Sequence, residues 1–254
     1  MKSLLLTISC ICAVAGFCQQ KTVPPSMALI SGGNYIPMYS KEAQKITVSS
    51  FYMDVYPVTN ADYLAFVKSH PDWKKSSVKR IFADSNYLKQ WDSDVLFDKN
   101  IAGSPVVNIS WFAAKKYCEC QGKRLPETAE WEVAARASKT KADASNDPGF
   151  NQWVLNWLTK PTAAILPPVG STFKNYYGIY DLHGLVWEWT YDFNSALTTG
   201  ESRGNSSLDN SLFCGGGSFA SKDISNYASF MRFAMRSSVK AKYCVANLGF
   251  RCVK

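Results

Sequence analysis

A glutamate between two tryptophans places the strongest constraint on how this chain can fold. Residues 180–193 read YDLHGLVWEWTYDF, so Glu188 lies between Trp187 and Trp189. If the segment is a regular strand, both indoles face one side, toward the core, and the carboxylate faces the other. A buried carboxylate is costly unless it is paired. The fold must therefore provide Glu188 with a partner.

Two kinds of partner meet this requirement. Asp181 precedes Glu188 by seven residues, and in an extended chain the two carboxylates would lie about 23 Å apart. Gly184 lies between them and can adopt a positive φ, so a bend there would allow both acids and nearby carbonyl groups to surround a metal ion. The alternative is an ion pair of Glu188 with Arg236 or Arg251. Sequence spacing alone leaves both alternatives open.

Residues 1–18 have the layout of a secretory signal peptide. A lone lysine precedes an apolar run that ends at Ala15, and small residues follow. This run is too short to span a bilayer. We expect cleavage between Ala15 and Gln19 rather than lipidation of Cys18, because the residue before that cysteine is a bulky phenylalanine.

The remainder of the chain is expected to form one exported domain. Residues 19–26 read as a polar leader, and residues 27–254 fit a single unit with long loops. No later apolar run approaches the roughly 20 residues of a membrane helix, so no transmembrane segment is expected. The protein is therefore predicted to be periplasmic or secreted, and nucleic acid is not an expected partner.

The cysteine and histidine content restricts the kinds of metal site. Five cysteines follow the signal peptide, so at most two bridges can form and one thiol is left over. None belongs to a CxxC pair, and the chain has only 2 histidines, which disfavours a Cys/His zinc cage or a histidine-rich iron site. The five residues are Cys118, Cys120, Cys214, Cys244 and Cys252.

Basic residues are concentrated in one segment of a chain whose net charge is +8. The segment HPDWKKSSVKR contains Lys74, Lys75, Lys79 and Arg80. Such a cluster is either a solvated loop or a docking surface for an acidic partner.

The pattern of apolar and capping residues predicts short strands and three helices. Strands are expected within residues 27–38 and 45–56, which are rich in β-branched and aromatic residues. Helices are expected after Thr59, after Ser110 with an end near Gly122, and in RLPETAEWEVAARA. After Ser138 we expect loop, followed by short β-like runs over the last hundred residues.

Five ordered blocks make the chain resemble the formylglycine-generating enzyme family, also called the sulfatase-modifying factor family. The blocks are ISGGNY with SSFYMDVYPVTNADYLAFV, then PVVNISWFAAKKYCECQGKRLPETAEWEVAARA, YYGIYDLHGLVWEWTYDF, GGGSF, and RSS with NLGFRC. The resemblance implies an α+β fold related to C-type lectins, with small antiparallel sheets, a few helices and much loop.

The resemblance also implies how this framework is held together. The resemblance implies a disulfide between Cys118 and Cys252. A second disulfide of the family is not expected, because Ala135 and Phe233 occupy its two positions. The resemblance further implies a structural calcium ion bound by the Asp181 and Glu188 side chains and by the carbonyl groups of Gly184 and Val186.

Two further residues of this loop are expected not to bind the ion. Leu185 replaces an asparagine that is common in the family but is not a ligand there. His183 is expected to be a hydrogen-bonded loop residue, because calcium prefers oxygen ligands.

The copper site of the active family members is missing from the sequence. Those enzymes use oxygen and copper(I), held by two cysteines, to oxidise a cysteine of a sulfatase to formylglycine, and soft thiolates suit copper(I). Here Ser221 occupies the first cysteine position, and Asn226 or, after a gap, Ala228 occupies the second. No catalytic cysteine and no copper are therefore expected. A ligand pocket is expected at Gly216, Gly217, Ser218 and Ser221.

These observations predict a non-oxidase accessory or maturation factor for another exported protein. A copper enzyme is a candidate partner, because residues 70–91 and WEWTYDFNS resemble a subgroup of the family found alongside copper nitrite reductases. The alternatives are an oxidoreductase of altered chemistry on the same scaffold and a lectin-like binding module. Arg236 and Arg251 are expected to form buried ion pairs that hold the loops.

Overall fold

The computed structural model describes residues 26–37, 45–194 and 224–254, with side chains of the last segment from residue 227 onward. The predicted signal peptide, its cleavage site and most of the predicted leader lie outside these ranges. So do Cys214 and the predicted pocket residues Gly216, Gly217, Ser218 and Ser221.

Short strands pair two by two in the described ranges. Pairing is antiparallel for β1 with β4 and for β2 with β3, and parallel for β5 with β6. The parallel pair departs from the predicted antiparallel sheets. The strands are β1 (Met27–Ile30), β2 (Gly33–Tyr35), β3 (Ile46–Val48), β4 (Phe51–Asp54), β5 (Trp187–Glu188) and β6 (Leu248–Gly249).

Each of the two N-terminal strand regions contains two strands rather than one. Between β1 and β2, Gly32 has a φ of 77°, and a Cβ there would lie 2.3 Å from the carbonyl oxygen of Val48. Only glycine fits this close approach of two backbones. The chain therefore turns at Gly32 and pairs β2 with β3 instead of extending β1.

Three of the helices begin where the sequence predicts. The Thr59 side chain accepts a hydrogen bond from the Asp62 amide at 3.1 Å, and Ser110 accepts one from the Ala113 amide at 3.2 Å. Each hydroxyl satisfies an otherwise unpaired donor of the first turn. These helices are α1 (Asn60–Ser69), α2 (Trp111–Cys120) and α3 (Thr128–Ala135).

Two described helices, α4 (Pro148–Leu158) and α5 (Ile224–Ser238), contradict the prediction of loop and β-like runs. Asp147 caps α4 through the Gly149 and Phe150 amides, and Pro148 occupies the first helical turn. An aspartate followed by proline is a recognised helix start, so the sequence contained this signal. The two helices pack against each other.

The core of the described ranges contains two main clusters of buried side chains. One contains Tyr63, Trp91, Trp189 and Phe250, and Trp187 packs against it, so both indoles face the same cluster as predicted. The other contains Met53, Trp131, Ile179 and Val253.

The C-terminal segment ties the first cluster to the rest of the molecule. A disulfide joins Cys118 of α2 to Cys252, which confirms the predicted pair. The Asp54 amide donates to the Cys252 carbonyl at 2.9 Å, and the Tyr52 amide donates to the Lys254 carbonyl at 2.9 Å. The last residues of the chain therefore extend the pairing of β4.

Candidate functional site

Glu188 forms a buried ion pair with Arg251. The Arg251 Nε donates to both carboxylate oxygens at 3.0 and 2.9 Å, and Nη2 donates to Oε1 at 2.7 Å. The indole Nε1 of Trp131 donates to Oε2 at 2.7 Å. Both charged side chains are 0% exposed. Of the alternatives left open by the sequence, the structure describes the pair with Arg251.

All five N–H groups of the Arg251 guanidinium have acceptors. Besides Glu188, it donates to the carbonyl oxygens of Asp54 at 3.1 Å, Val55 at 3.3 Å and Tyr180 at 2.8 Å. A planar guanidinium with five fixed donors suits such a set better than an ammonium group. Arg251 therefore connects the end of β4, the loop before Asp181 and β5.

Asp181 is buried and holds a neighbouring turn. Its Oδ1 accepts from the Thr172 amide at 3.0 Å and from the Thr172 hydroxyl at 2.8 Å, and Oδ2 accepts from the Gly170 amide. Asp181 itself has a φ of 64°, which is uncommon for a residue with a side chain. Sequence reasoning did not predict this conformation.

Both carboxylates among the predicted calcium ligands are hydrogen-bonded to protein groups. Asp181 and Glu188 have different hydrogen-bond partners, and Arg251 already supplies the positive charge beside Glu188. Gly184 does make the predicted bend, with a φ of 94°, and Val186 is buried. Calcium at Asp181, Gly184, Val186 and Glu188 stays a prediction from the resemblance.

A second buried carboxylate, Glu132 of α3, binds two arginines of α5. Arg232 donates through Nε at 2.9 Å and Nη2 at 2.8 Å, and Arg236 donates through Nη1 at 2.7 Å. Burial raises the pKa of Glu132, but the two guanidinium groups outweigh burial and lower that pKa to about 2. The pair with Arg236 agrees with its predicted structural role, whereas Glu132 was not predicted as its partner.

His183 lies beside this ion-pair cluster, next to a small cavity. Its Nε2 donates to the Ala135 carbonyl at 2.7 Å, as expected of a hydrogen-bonded loop residue. Burial lowers the pKa of His183 to about 4, so the ring is neutral at pH 7. The cavity has a volume of about 60 Å³, and its lining includes His183, Arg232 and Ala228. Ala228 is one of the two candidates for the second copper-cysteine position.

The described cysteines do not form the family's pair of copper ligands. Cys118 is in the disulfide, and Cys244 is buried with its thiol directed at the Lys242 carbonyl. Burial and the nearby Asp84 raise the pKa of Cys244 to about 12, which disfavours the thiolate that a metal requires. Cys120 is exposed at the end of α2.

The sequence matches the family described as "Sulfatase-modifying factor enzyme 1-like domain" over residues 15–254. The chain belongs to this family. Its relatives include the formylglycine-generating enzyme of Mus musculus, which is 28% identical over 282 residues that cover 91% of this chain and 74% of that protein. The inactive C-alpha-formylglycine-generating enzyme 2 of Bos taurus is 30% identical over 200 residues, covering 58% and 61% of the two chains.

Other relatives of this sulfatase-modifying factor family member are much longer proteins. The serine/threonine-protein kinase pkn1 of Chlamydia caviae is 29% identical over 175 residues, which cover 66% of this chain but 28% of the kinase. Among solved structures, PvdO from Pseudomonas aeruginosa has a TM-score of 0.50 at 19% identity and covers 89% of this chain and 93% of that one. This structural likeness supports the predicted α+β fold.

Proposed function

We propose that this family member is an exported accessory or maturation factor that does not oxidise cysteine. The observation that carries the proposal is the replacement of both copper-binding cysteines of the active family pattern by Ser221 and by Asn226 or Ala228. A hydroxyl, an amide and a methyl group are poor ligands for copper(I), which selects soft sulfur.

The surroundings of Ala228 support a non-oxidase role. Ala228 is buried and lines the cavity that also contacts His183 and Arg232. The positively charged guanidinium of Arg232 beside the cavity disfavours the binding of a copper ion there, because like charges repel. In addition, one relative is named an inactive formylglycine-generating enzyme, so the family includes proteins described as inactive.

Export is supported by the disulfide between Cys118 and Cys252. Such bonds persist mainly in oxidising compartments, which agrees with the predicted signal peptide. No described helix combines the length and apolar character that crossing a membrane requires. From the disulfide and the predicted signal peptide, we propose a location in the periplasm or outside the cell.

The basic segment after α1 supports recognition of an acidic protein surface. Lys79 and Arg80 are exposed, and Ile81 beside them is 70% exposed. Positive charge can attract an acidic partner from a distance. The adjacent exposed apolar side chain can then be buried against that partner. An exported copper enzyme is the partner class that we propose. Altered oxidative chemistry and lectin-like binding stay predictions.

Deletion of the gene tests the accessory role. We expect the copper content and activity of an exported copper enzyme to fall, and the wild-type gene to restore both. Complementation with Lys79→Glu/Arg80→Glu should restore them less well than Lys45→Glu/Lys139→Glu, whose exposed lysines lie outside the segment. Unchanged copper loading in every exported copper enzyme of the deletion strain would contradict the proposed partner class.

Copper(I) competition tests the non-oxidase assignment separately. The purified mature protein is titrated against a chromogenic copper(I) chelator, with Ser221→Cys/Asn226→Cys and Ser221→Cys/Ala228→Cys as matched variants. We expect the wild type not to compete and one of the double variants to gain competition. Tight one-to-one binding by the wild type would contradict the assignment.

A further inference from the structure

An exposed thiol and an imidazole meet where helices α1 and α2 end. Cys120 is the last residue of α2 and is exposed, and His70 follows the last residue of α1. The Cys120 Sγ lies 3.3 Å from His70 Nε2, within hydrogen-bonding distance for sulfur. The two residues are 50 positions apart in the sequence, so only the fold brings them together.

The other contacts of His70 indicate whether Nε2 can accept the thiol hydrogen. Nδ1 lies 3.1 Å from the Phe66 carbonyl oxygen and 2.9 Å from the Ser69 hydroxyl. A carbonyl oxygen accepts and cannot donate, so the contact with Phe66 favours the tautomer that has its hydrogen on Nδ1. In that neutral tautomer Nε2 has the free lone pair and can accept a hydrogen bond from the Cys120 S–H.

The imidazole is also held in place by packing. Its ring stacks on Phe66 with a centroid distance of 4.8 Å and an interplanar angle of 25°. His70 is therefore fixed from one side by the ring stack and from Nδ1 by the backbone carbonyl. A base that is oriented in this way can accept the thiol proton without first changing its rotamer.

Cys120 differs in these respects from the other described cysteines. Cys118 and Cys252 are bonded to each other, and Cys244 is buried. Reactivity of a thiol requires both access and a thiolate, because the thiolate is the nucleophile. Among the cysteines that the structure describes, Cys120 alone combines exposure with a histidine acceptor.

We propose that Cys120 and His70 form a thiol–disulfide exchange site for low-molecular-weight disulfides. His70 Nε2 takes the proton from Sγ, and the resulting thiolate attacks one sulfur of the small disulfide. A new S–S bond forms to Cys120, the original S–S bond breaks, and the second sulfur leaves as a thiolate that is then protonated. Cys120 is oxidised to a mixed disulfide, and the small disulfide is the oxidant.

The test compares variants of the mature protein that all carry Cys214→Ser. Ellman's reagent, an aromatic disulfide, and glutathione disulfide are added under native conditions at pH 6.5. We expect one equivalent of fast reaction that Cys120→Ser abolishes and Cys244→Ser retains. The site of glutathione addition is identified by peptide mass spectrometry.

Two substitutions of His70 separate its role as a base from its role in packing. His70→Gln and His70→Phe remove the Nε2 acceptor, and the second retains an aromatic ring against Phe66. We expect both to slow the reaction about tenfold at pH 6.5, a modest contribution for a general base. The difference should shrink at pH 9, where hydroxide can replace the imidazole as the base.

Two results would overturn the proposal. One is an unchanged rate at pH 6.5 in both His70 variants when their thermal midpoints match that of the parent. The other is a disulfide between Cys120 and Cys214 in the mature wild-type protein, because the exchange site would then be absent. This proposal does not depend on the proposed accessory role.

Discussion

At the scale of single residues, Arg251 is the side chain on which most contacts of the candidate site converge. Its guanidinium pairs with Glu188 and donates to three backbone carbonyl groups in two different segments. A fully buried ion pair is tolerable only when its remaining donors and acceptors are satisfied, and here they are. Loss of the arginine would leave the Glu188 charge buried without compensation.

Replacement of Arg251 tests this account of the site. We expect Arg251→Met to lower the free energy of unfolding by about 3 to 5 kcal/mol, the usual loss when one partner of a buried pair is removed. Lys141→Met is the control, because its ion pair with Asp147 is exposed and an exposed pair contributes little to stability. Urea denaturation measures both, and similar losses in the two variants would contradict the account.

Acid should weaken the fold through Glu132. Burial raises the pKa of this side chain, but Arg232 and Arg236 outweigh it and lower the pKa from 4.5 to about 2. Because the folded pKa is below the unfolded one, this stabilisation is present above pH 4.5 and is lost as the pH falls toward 2.

The shift corresponds to about 3 kcal/mol of pH-dependent stability. Urea denaturation from pH 5 to pH 2.5 should therefore show a smaller loss in Glu132→Gln than in the wild type. Parallel pH profiles for the two proteins would contradict the lowered pKa.

Removal of calcium distinguishes the two accounts of Glu188. If Arg251 is the only cation that neutralises Glu188, the thermal midpoint should be the same in millimolar calcium and in chelator. A midpoint that rises with calcium in the wild type, but not in Asp181→Asn/Glu188→Gln, would favour the calcium site that the resemblance implies.

At the scale of secondary structure, the bend at Gly184 depends on α4. A Cβ on Gly184 would lie 2.4 Å from Cδ2 of Trp157, so the indole of α4 occupies the space that a side chain would need. The φ of 94° at this position adds a second reason for glycine. Helix α4 therefore packs directly on the loop that leads to Glu188.

Two glycine substitutions separate steric overlap from backbone strain. Gly122 also has a positive φ, of 64°, but a Cβ there would meet no atom within 4 Å. Gly122→Ala should cost about 1 to 2 kcal/mol through backbone strain alone. Gly184→Ala should cost a further 1 to 3 kcal/mol because the core must move. If urea denaturation gives the same loss of unfolding free energy for both variants, the Trp157 side chain moves aside without destabilising the protein, which would contradict this expectation.

Local signals explain why some elements could be predicted from the sequence and others could not. Thr59 and Ser110 mark helix starts by chemistry that needs no tertiary contact. The bend at Gly184 was likewise predictable from residue type. Arg251 was one of two arginines that the sequence offered as partners of Glu188. The choice between them and the bond from Trp131 were not predictable, because residues 63 and 57 positions away meet Glu188 only in the folded chain.

At the scale of the whole molecule, the C-terminal residues connect segments that are distant in the sequence. Residues 252–254 pair with β4, and Val253 and Arg124 exchange backbone hydrogen bonds at 2.7 and 2.9 Å. The disulfide between Cys118 and Cys252 fixes this segment across a sequence separation of 134 residues. Cross-linking residues so far apart restricts the unfolded chain strongly.

Removal of the disulfide should therefore have a large effect on stability. We expect Cys118→Ala/Cys252→Ala to lose about 4 to 5 kcal/mol by the chain-entropy account. Cys120→Ala serves as the control, because this exposed thiol contributes little to the core. Thermal and urea unfolding under non-reducing conditions provide the comparison, and a loss below about 1 kcal/mol in the double variant would contradict the expectation.

The central claim is that this family member retains the framework of the formylglycine-generating enzymes without their oxidation chemistry. The most direct test incubates the mature protein with a CxPxR peptide, oxygen and copper, beside an active formylglycine-generating enzyme as positive control. Mass spectrometry should detect the aldehyde product only in the control. Aldehyde formation by this protein at a rate near that of the control would contradict the claim.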